Sequence, residues 1–138
     1  MKNHAAIMIR DDYGRVLFIQ RSMKKKTLPG AWSFPSGTVE EGEDVLATAV
    51  RECVEELGVD VLAEKVLSTL DLPEFSARLH FVLCSIKDGV PSIEEPDEID
   101  VIEWMRMEDF FERFSDDEIG HGLIWLRKNP GIWAELNR

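Results

Sequence analysis

The sequence predicts an α+β fold in which helices are layered on a mixed β-sheet. Its β-type segments follow one another in pairs separated by turns, as in hairpins. A strongly periodic helical segment lies between these pairs, so the predicted order is β-β-β-α-β-β-β-α. The chain has 138 residues, of which 44% are hydrophobic and 31% charged. This size suits a single domain, 1–138, whose core needs no disulfide bond or metal ion to fold.

The chain begins with a predicted hairpin. Residues 4–10 and 15–21 are mainly apolar, and the segment 11–14 between them ends in a glycine suited to a turn. A loop over residues 22–30, which contains three consecutive lysines, leads to a short predicted strand at 31–34. We expect the Pro-Ser-Gly sequence that follows to end this strand.

Residues 44–57 give the clearest helical pattern in the chain. Apolar residues repeat there at helical spacing and predict one buried stripe: Leu46, Val50, Cys53 and Leu57. Asp44 is suited to cap the start of the helix, and Gly58 stands where the helix is expected to end.

The remaining elements alternate strand and helix less regularly. The sequence predicts strands at 59–70, 78–86 and 99–105, and helices near 108–113 and 116–128. Ser115 and Glu118 form a capping-box pattern at the start of the last helix, which two internal glycines weaken.

Charge and composition exclude several classes of function. The net charge is −11, and such a surface repels nucleic-acid backbones and anionic lipids, so we expect neither as a partner. Cys53 and Cys84 belong to no Cys-x-x-Cys pair, which predicts buried free thiols. The sequence lacks a long apolar run and its first residues do not resemble a signal peptide, which predicts a soluble, cytoplasmic protein.

Three glutamates crowd one face of the predicted helix. Glu55 and Glu56 follow Glu52 by three and four residues, and all three lie near the C-terminal, negative end of the helix dipole. Their mutual repulsion predicts a compensating cation, and Mg²⁺ prefers such carboxylate oxygens. The alternative interpretation is a solvated acidic helix face, which is common in acidic chains.

The spacing around these glutamates resembles the Nudix box. Five residues separate Gly37 from Glu43, and seven more lead to the segment 51–59, which reads Arg-Glu-Cys-Val-Glu-Glu-Leu-Gly-Val. Every position of fixed identity in the box matches. Cys53 stands where the family has a bulky aliphatic residue, and Ser36 stands where the family commonly has glycine.

The resemblance extends on both sides of the box. Residues 16–21 and 30–35 look like the strand and loop that precede it in MutT-type Nudix hydrolases, and the region from Trp104 to Phe110 looks like the family's later strand and helix. It implies an α/β/α sandwich around a mixed sheet. It also implies Mg²⁺- or Mn²⁺-dependent hydrolysis of a nucleoside diphosphate linked to a further group X.

The resemblance assigns roles to individual residues. Glu52, Glu55 and Glu56 are expected to bind the metal and take part in catalysis, and the backbone carbonyl of Gly37 to lie near the metal. Glu43 and Arg51 look like the family's structural ion pair. Some members take a further acid from a later loop. The candidates for this acid are Glu94, Glu95, Glu98 and Glu103, of which we prefer Glu98 as a metal-site residue.

The sequence does not determine the substrate. Arg21, Trp32 and Phe34 are the expected substrate-binding residues, although aromatic residues more often pack in cores. Arg21 and the lysines at 24–26 are suited to phosphates, whereas His80 and His121 are expected to be structural. Other aromatic candidates for walls of a base pocket are Phe18, Phe75 and Trp104.

We rank a (d)NTP or an oxidised nucleotide first as substrate, with NMP and pyrophosphate as products. ADP-ribose or a nucleotide sugar comes second. Pro73 lies near, but not at, the position past the box that the family associates with ADP-ribose. Non-nucleoside diphosphates come third, and a non-catalytic ligand sensor is the alternative from another class. Homodimers are common in the family, and no sequence feature decides the oligomeric state here.

Overall fold

The computed structural model describes residues 1–137, and within them seven strands form one mixed sheet. The strands are β1 Lys2–Arg10, β2 Val16–Arg21, β3 Trp32–Ser33, β4 Ser36–Thr38, β5 Asp60–Leu72, β6 Ala77–Asp88 and β7 Ile99–Met105. The helices are α1 Val45–Leu57, α2 Met107–Arg113, α3 His121–Lys128 and α4 Pro130–Trp133. Helical 3-10 turns are found at Pro73–Phe75, Asp116–Glu118 and Ala134–Asn137. The predicted α+β class and the mixed sheet are confirmed.

Strand β1 is the centre of the sheet. It runs parallel to β6 along its whole length, from the Lys2–Ala77 pair to the Arg10–Ser85 pair. Its other edge is shared, because β2 pairs with it antiparallel at its C-terminal end and β4 antiparallel at its N-terminal half. In the β4 pairing Gly37 stands opposite Ala5, which brings the glycine of the box into the sheet beside α1.

The sheet separates two cores of different composition. Alternate residues of β1 point to opposite faces, so Ala5, Ile7 and Ile9 join an aliphatic core with α1, whereas Ala6 and Met8 join an aromatic core with α2 and α3. Cys53 and Cys84 are free thiols buried in the aliphatic core. Helices therefore cover both faces, as the α/β/α sandwich requires.

Strand β4 differs from the sequence prediction. The sequence predicts that the Pro-Ser-Gly segment ends the strand before it, and β3 does end at Ser33, but the sequence does not predict the further strand Ser36–Thr38, which pairs with residues 4–6 of β1. The carbonyl of Pro35 also accepts a hydrogen bond from the Ile7 N–H at 2.8 Å. A partner distant in sequence stabilises this strand, so local propensity does not reveal it.

The predicted helix over 116–128 is broken in the structure. The capping box of Ser115 and Glu118 closes a 3-10 turn, and α3 begins only at His121. Between them Ile119 is extended and bridges to Trp32, and the Gly120 N–H donates to the Trp32 carbonyl at 2.9 Å. This tertiary pairing replaces helical hydrogen bonds. Among residues 1–137, no helix has both the length and the hydropathy of a membrane span.

Candidate active site

Helix α1 carries the acidic cluster, and both of its ends are fixed locally. The Asp44 side chain accepts a hydrogen bond from the Ala47 N–H at 2.7 Å, and Gly58 ends the helix in the left-handed conformation at φ 65°. The apolar stripe packs against the sheet, as the sequence predicts. The three glutamates of the helix then differ in depth, since Glu55 is exposed, Glu52 is half-buried and Glu56 is buried.

Glu56 is the unusual member of this cluster. Its side chain is only 8% exposed, and its Oε2 atom is buried without a hydrogen-bond partner in the structure. Burial, followed by the negative charges of Glu52, Glu95 and Glu98, raises the pKa of Glu56 to about 9. A buried carboxylate oxygen without a donor is costly, and a bound cation would satisfy it.

Gly37 and the Glu52 side chain are packed so closely that a side chain at position 37 would displace Glu52. A Cβ atom built on Gly37 would lie 2.2 Å from the Cγ and Cδ atoms of Glu52. Burial raises the pKa of Glu52, although its hydrogen bond with Arg51 opposes this shift. The glycine of the box thus leaves room for the glutamate beside β4.

Arg51 ties the loop before α1 to the carboxylates of the helix. Its Nε atom donates to Glu43 at 2.8 Å and its Nη2 atom to the Thr38 carbonyl at 3.0 Å. Its Nη1 atom donates to Glu52 at 2.8 Å and to Glu55 at 3.3 Å. The hydrogen bonds from Arg51, followed by one from the Thr48 hydroxyl, lower the pKa of Glu43 to about 2. This is the ion pair that the resemblance implies.

The loop before β7 brings two carboxylates close to the glutamates of α1. Glu95 and Glu98 act electrostatically on Glu56, and Glu98 forms an ion pair with the Lys25 ammonium group. Glu103 is instead paired with Arg113 at 2.9 Å, and Glu94 accepts a hydrogen bond from the Ser92 hydroxyl. Of the four candidate acids, Glu95 and Glu98 thus act on the α1 cluster through their charges, whereas Glu94 meets α1 through its backbone N–H, which donates to the Glu56 carbonyl at 3.1 Å.

The donor set suits Mg²⁺ or Mn²⁺ rather than a metal held only by protein. Within residues 1–137, His, Cys, Asp and Glu side chains form no ready-made cage of three or more ligands. Mg²⁺ keeps several waters and shares its coordination with substrate phosphates, so it needs only a few carboxylates. The orphaned oxygen of Glu56 and the adjacent Glu52 meet that need.

An apolar cavity of about 490 Å³ lies on the aromatic side of the sheet. Its apolar walls include Phe34, Leu72, Phe75, Leu79, Phe81 and Leu123, and its polar side chains include His4, Arg21, Ser33, Ser36 and His121. Arg21 connects this cavity to the acidic cluster, because Glu98 and Glu56 act electrostatically on its guanidinium group. Its Nη2 atom also donates to the Thr27 carbonyl at 2.8 Å.

The structure separates the three predicted substrate-binding residues. Arg21 and Phe34 line the cavity, but Trp32 does not, since it is buried against Phe114 with ring centroids 5.0 Å apart. His121, which the sequence analysis expects to be structural, packs its ring against Phe75 at 4.7 Å where both line the cavity. No periodic signal marks His121, because its position depends on the break between the 3-10 turn and α3.

A comparison with protein families decides the relationship. The model of the family described as the NUDIX domain matches residues 2–124. The chain belongs to the Nudix family. The Nudix resemblance of the box and its surroundings is therefore confirmed over most of the chain.

Individual Nudix proteins show similarity over different lengths. Nudix hydrolase 10 of Arabidopsis thaliana is 36% identical over 83 residues, which cover 58% of this chain and 30% of that protein. The 8-oxo-dGTP diphosphatase of Proteus vulgaris is 36% identical over 81 residues, covering 57% of this chain and 71% of that protein. The chain thus spans less than a third of the length of the first of these relatives.

A solved structure shares the fold. The MutT Nudix hydrolase of Burkholderia pseudomallei has a TM-score of 0.72 at 23% identity, covering 92% of this chain and 95% of that one. At this identity the similarity supports the Nudix fold and gives no information about the substrate.

Proposed function

We propose that this chain is a Nudix pyrophosphohydrolase that uses Mg²⁺ or Mn²⁺ to cleave the diphosphate linkage of a nucleoside diphosphate-X substrate. The observation that carries the proposal is the orphaned, buried Oε2 atom of Glu56 within a carboxylate cluster. Arg21 lies between this cluster and an apolar cavity large enough for a nucleobase. A carboxylate cluster suited to metal-assisted phosphate chemistry thus lies next to an apolar cavity suited to recognition of a base.

The residues divide the work of hydrolysis. Glu52, Glu55 and Glu56, with Glu98 and the Gly37 carbonyl, would hold the metal. When bound, a divalent cation neutralises the diphosphate and lowers the pKa of a water molecule. A glutamate of the cluster accepts the proton of the attacking water, whose oxygen then bonds to phosphorus as the P–O bond of the bridge breaks.

Other residues position the substrate and the site. Arg21 donates hydrogen bonds to phosphate oxygens at the mouth of the cavity. Phe34 and the Phe75–His121 pair pack against the base. Arg51 and Glu43 hold the loop of the box on α1.

A (d)NTP or an oxidised nucleotide is the first candidate, with NMP and pyrophosphate as products. The name of the Proteus relative, an 8-oxo-dGTP diphosphatase, favours this class. ADP-ribose or a nucleotide sugar is the second candidate. Pro73 lies near, but not at, the position that the family associates with ADP-ribose, and it begins the 3-10 turn Pro73–Phe75 beside the cavity.

A hydrolysis panel tests these proposals. The purified chain is assayed with Mg²⁺ or Mn²⁺ on (d)NTPs, 8-oxo-dGTP, ADP-ribose and nucleotide sugars, and the products are separated as NMP, pyrophosphate and phosphate. Turnover of a triphosphate to NMP and pyrophosphate, lost in Glu52→Gln and kept in Glu112→Gln on the exposed side of α2, would support the first candidate. Cleavage of ADP-ribose or nucleotide sugars alone would favour the second candidate. Binding without any metal-dependent turnover would indicate the ligand sensor.

A further inference from the structure

Two consecutive lysines of the loop over residues 22–30 have different surroundings. The Lys24 ammonium lies 3.0 Å from Asp97, and the side chains are 75% and 83% exposed. The Lys25 ammonium contacts Glu98, with side chains only 26% and 43% exposed. A pair in full solvent is worth little, whereas a partly buried pair is screened less.

Lys25 also acts on the rest of the acidic cluster. Its positive charge partly offsets the rise in the pKa of Glu56 and of Glu95. It is thus a cation of the protein itself, placed among the carboxylates that lie around the orphaned oxygen of Glu56. Lys24 is instead paired with the exposed Asp97.

The same loop borders the cavity. Thr27 and Leu28 line it, and the Arg21 side chain holds the Thr27 carbonyl and hydroxyl groups. Leu28 has a positive φ of 46°, which is unfavourable for a leucine and must be held by surrounding contacts. The contact of Lys25 with Glu98 attaches the same loop to the acidic side.

We propose that Lys25 is a positioning residue of the metal site, which competes with the divalent cation for the acidic cluster. The proposal rests on the metal site of the proposed function. A divalent cation bound near Glu56 repels the nearby ammonium group and attracts the same carboxylates. Metal binding therefore releases Lys25 from Glu98 and loosens the loop that borders the cavity.

Mn²⁺ binding tests the competition without turnover. Free Mn²⁺ is measured by electron paramagnetic resonance for the wild type, Lys25→Met, Lys25→Arg and Lys24→Met, without substrate. Lys25→Met keeps the aliphatic stem and removes the charge, so it should bind Mn²⁺ about three- to tenfold more tightly. Lys25→Arg, which keeps the charge, and Lys24→Met, which removes the exposed one, should stay within about twofold of the wild type.

Hydrogen exchange of the wild-type chain gives a second readout. Amide exchange over residues 22–30 should rise when Mn²⁺ is added, and Lys25→Met should show the faster exchange with or without Mn²⁺. The proposed competition would be contradicted if Lys25→Met bound Mn²⁺ no more tightly than the wild type. It would also be contradicted if amide exchange in the wild type did not change when Mn²⁺ is added. Either result would leave the proposed metal site unaffected. A wild type that binds no Mn²⁺ would overturn the metal site itself, and the competition with it.

Discussion

The two faces of the sheet are built from different chemistry. On the α1 face the core is aliphatic. The carboxylates beside this core come mostly from one short segment, 52–56. On the opposite face the core is aromatic, with Phe18 stacked on Phe110 at 4.0 Å and Phe34 meeting Phe81 edge-on at 6.4 Å. That aromatic face opens into the cavity. On the proposed function, the reacting groups would thus come from one short stretch of sequence, whereas the recognition surface would be assembled from distant segments.

The largest expected effect is at the acidic face. Glu56→Gln removes a carboxylate from the proposed metal site, so hydrolysis should fall about 10²- to 10⁴-fold. The same change removes a buried acid whose folded-state pKa is about 9. In the wild type, stability should fall as pH rises from the unfolded-state pKa towards 9, because the unfolded carboxyl group loses its proton first.

Thermal unfolding in EDTA between pH 5 and pH 9 measures this second effect. Glu56→Gln should be more stable than the wild type at pH 8 and should lose the fall in stability with pH. The exposed Glu112→Gln is the control and should follow the wild type. A Glu56→Gln variant with full activity would show that the acidic face is not the reacting one.

A smaller effect is expected at the cavity face. His121→Ala removes a ring that packs on Phe75, so KM for a nucleotide substrate should rise about two- to tenfold, with kcat nearly unchanged. Steady-state kinetics on the best substrate of the panel measures it. Tyr13→Ala removes an aromatic ring that is 75% exposed and does not line the cavity, and it serves as control. A fall in kcat with KM unchanged would mean that the two faces do not divide recognition from chemistry.

The smallest effect concerns the attachment of the box loop to α1. The pKa of Glu43 is held at about 2, so its contribution to stability is present above the ordinary glutamate pKa and is lost as pH falls towards 2. Glu43→Gln should therefore flatten the acid limb of the stability curve between about pH 4.5 and pH 2. Chemical denaturation over this range measures it. Glu40→Gln is the control, because Glu40 only approaches Arg51 to 3.7 Å and is 67% exposed, and an equal flattening there would contradict the prediction.

Much of the α1 face could be predicted from the sequence. The apolar stripe, the Asp44 cap and the Gly58 terminus depend on neighbours within one or two helical turns, and the structure confirms each of them. Helical geometry alone places Glu52, Glu55 and Glu56 on one face of α1. The burial of Glu56 does not follow from the helix alone. The helical pattern places Glu56 beside the apolar stripe, but the extent to which the acidic loop before β7 covers it depends on the tertiary structure.

The cavity face could be predicted much less well. The sequence predicts Phe34 and Arg21 as substrate-binding residues, and both line the cavity. However, Trp32 packs in the core, and His121, expected to be structural, lines the cavity. Both outcomes depend on the pairing of Ile119 and Gly120 with Trp32, which breaks the predicted helix. Such pairings join segments nearly ninety residues apart, and neither periodicity nor propensity reports them.

The sequence by itself determined the family, the α+β class and the acidic helix, because periodicity, caps and the spacing of the box all act over short stretches of chain. The tertiary structure alone decided which glutamate is buried without a partner, which aromatic rings border the cavity and which lysine enters the acidic cluster. Burial and pairing of that kind depend on segments that meet only when the sheet forms, and a desolvated carboxylate acquires its unusual pKa only there.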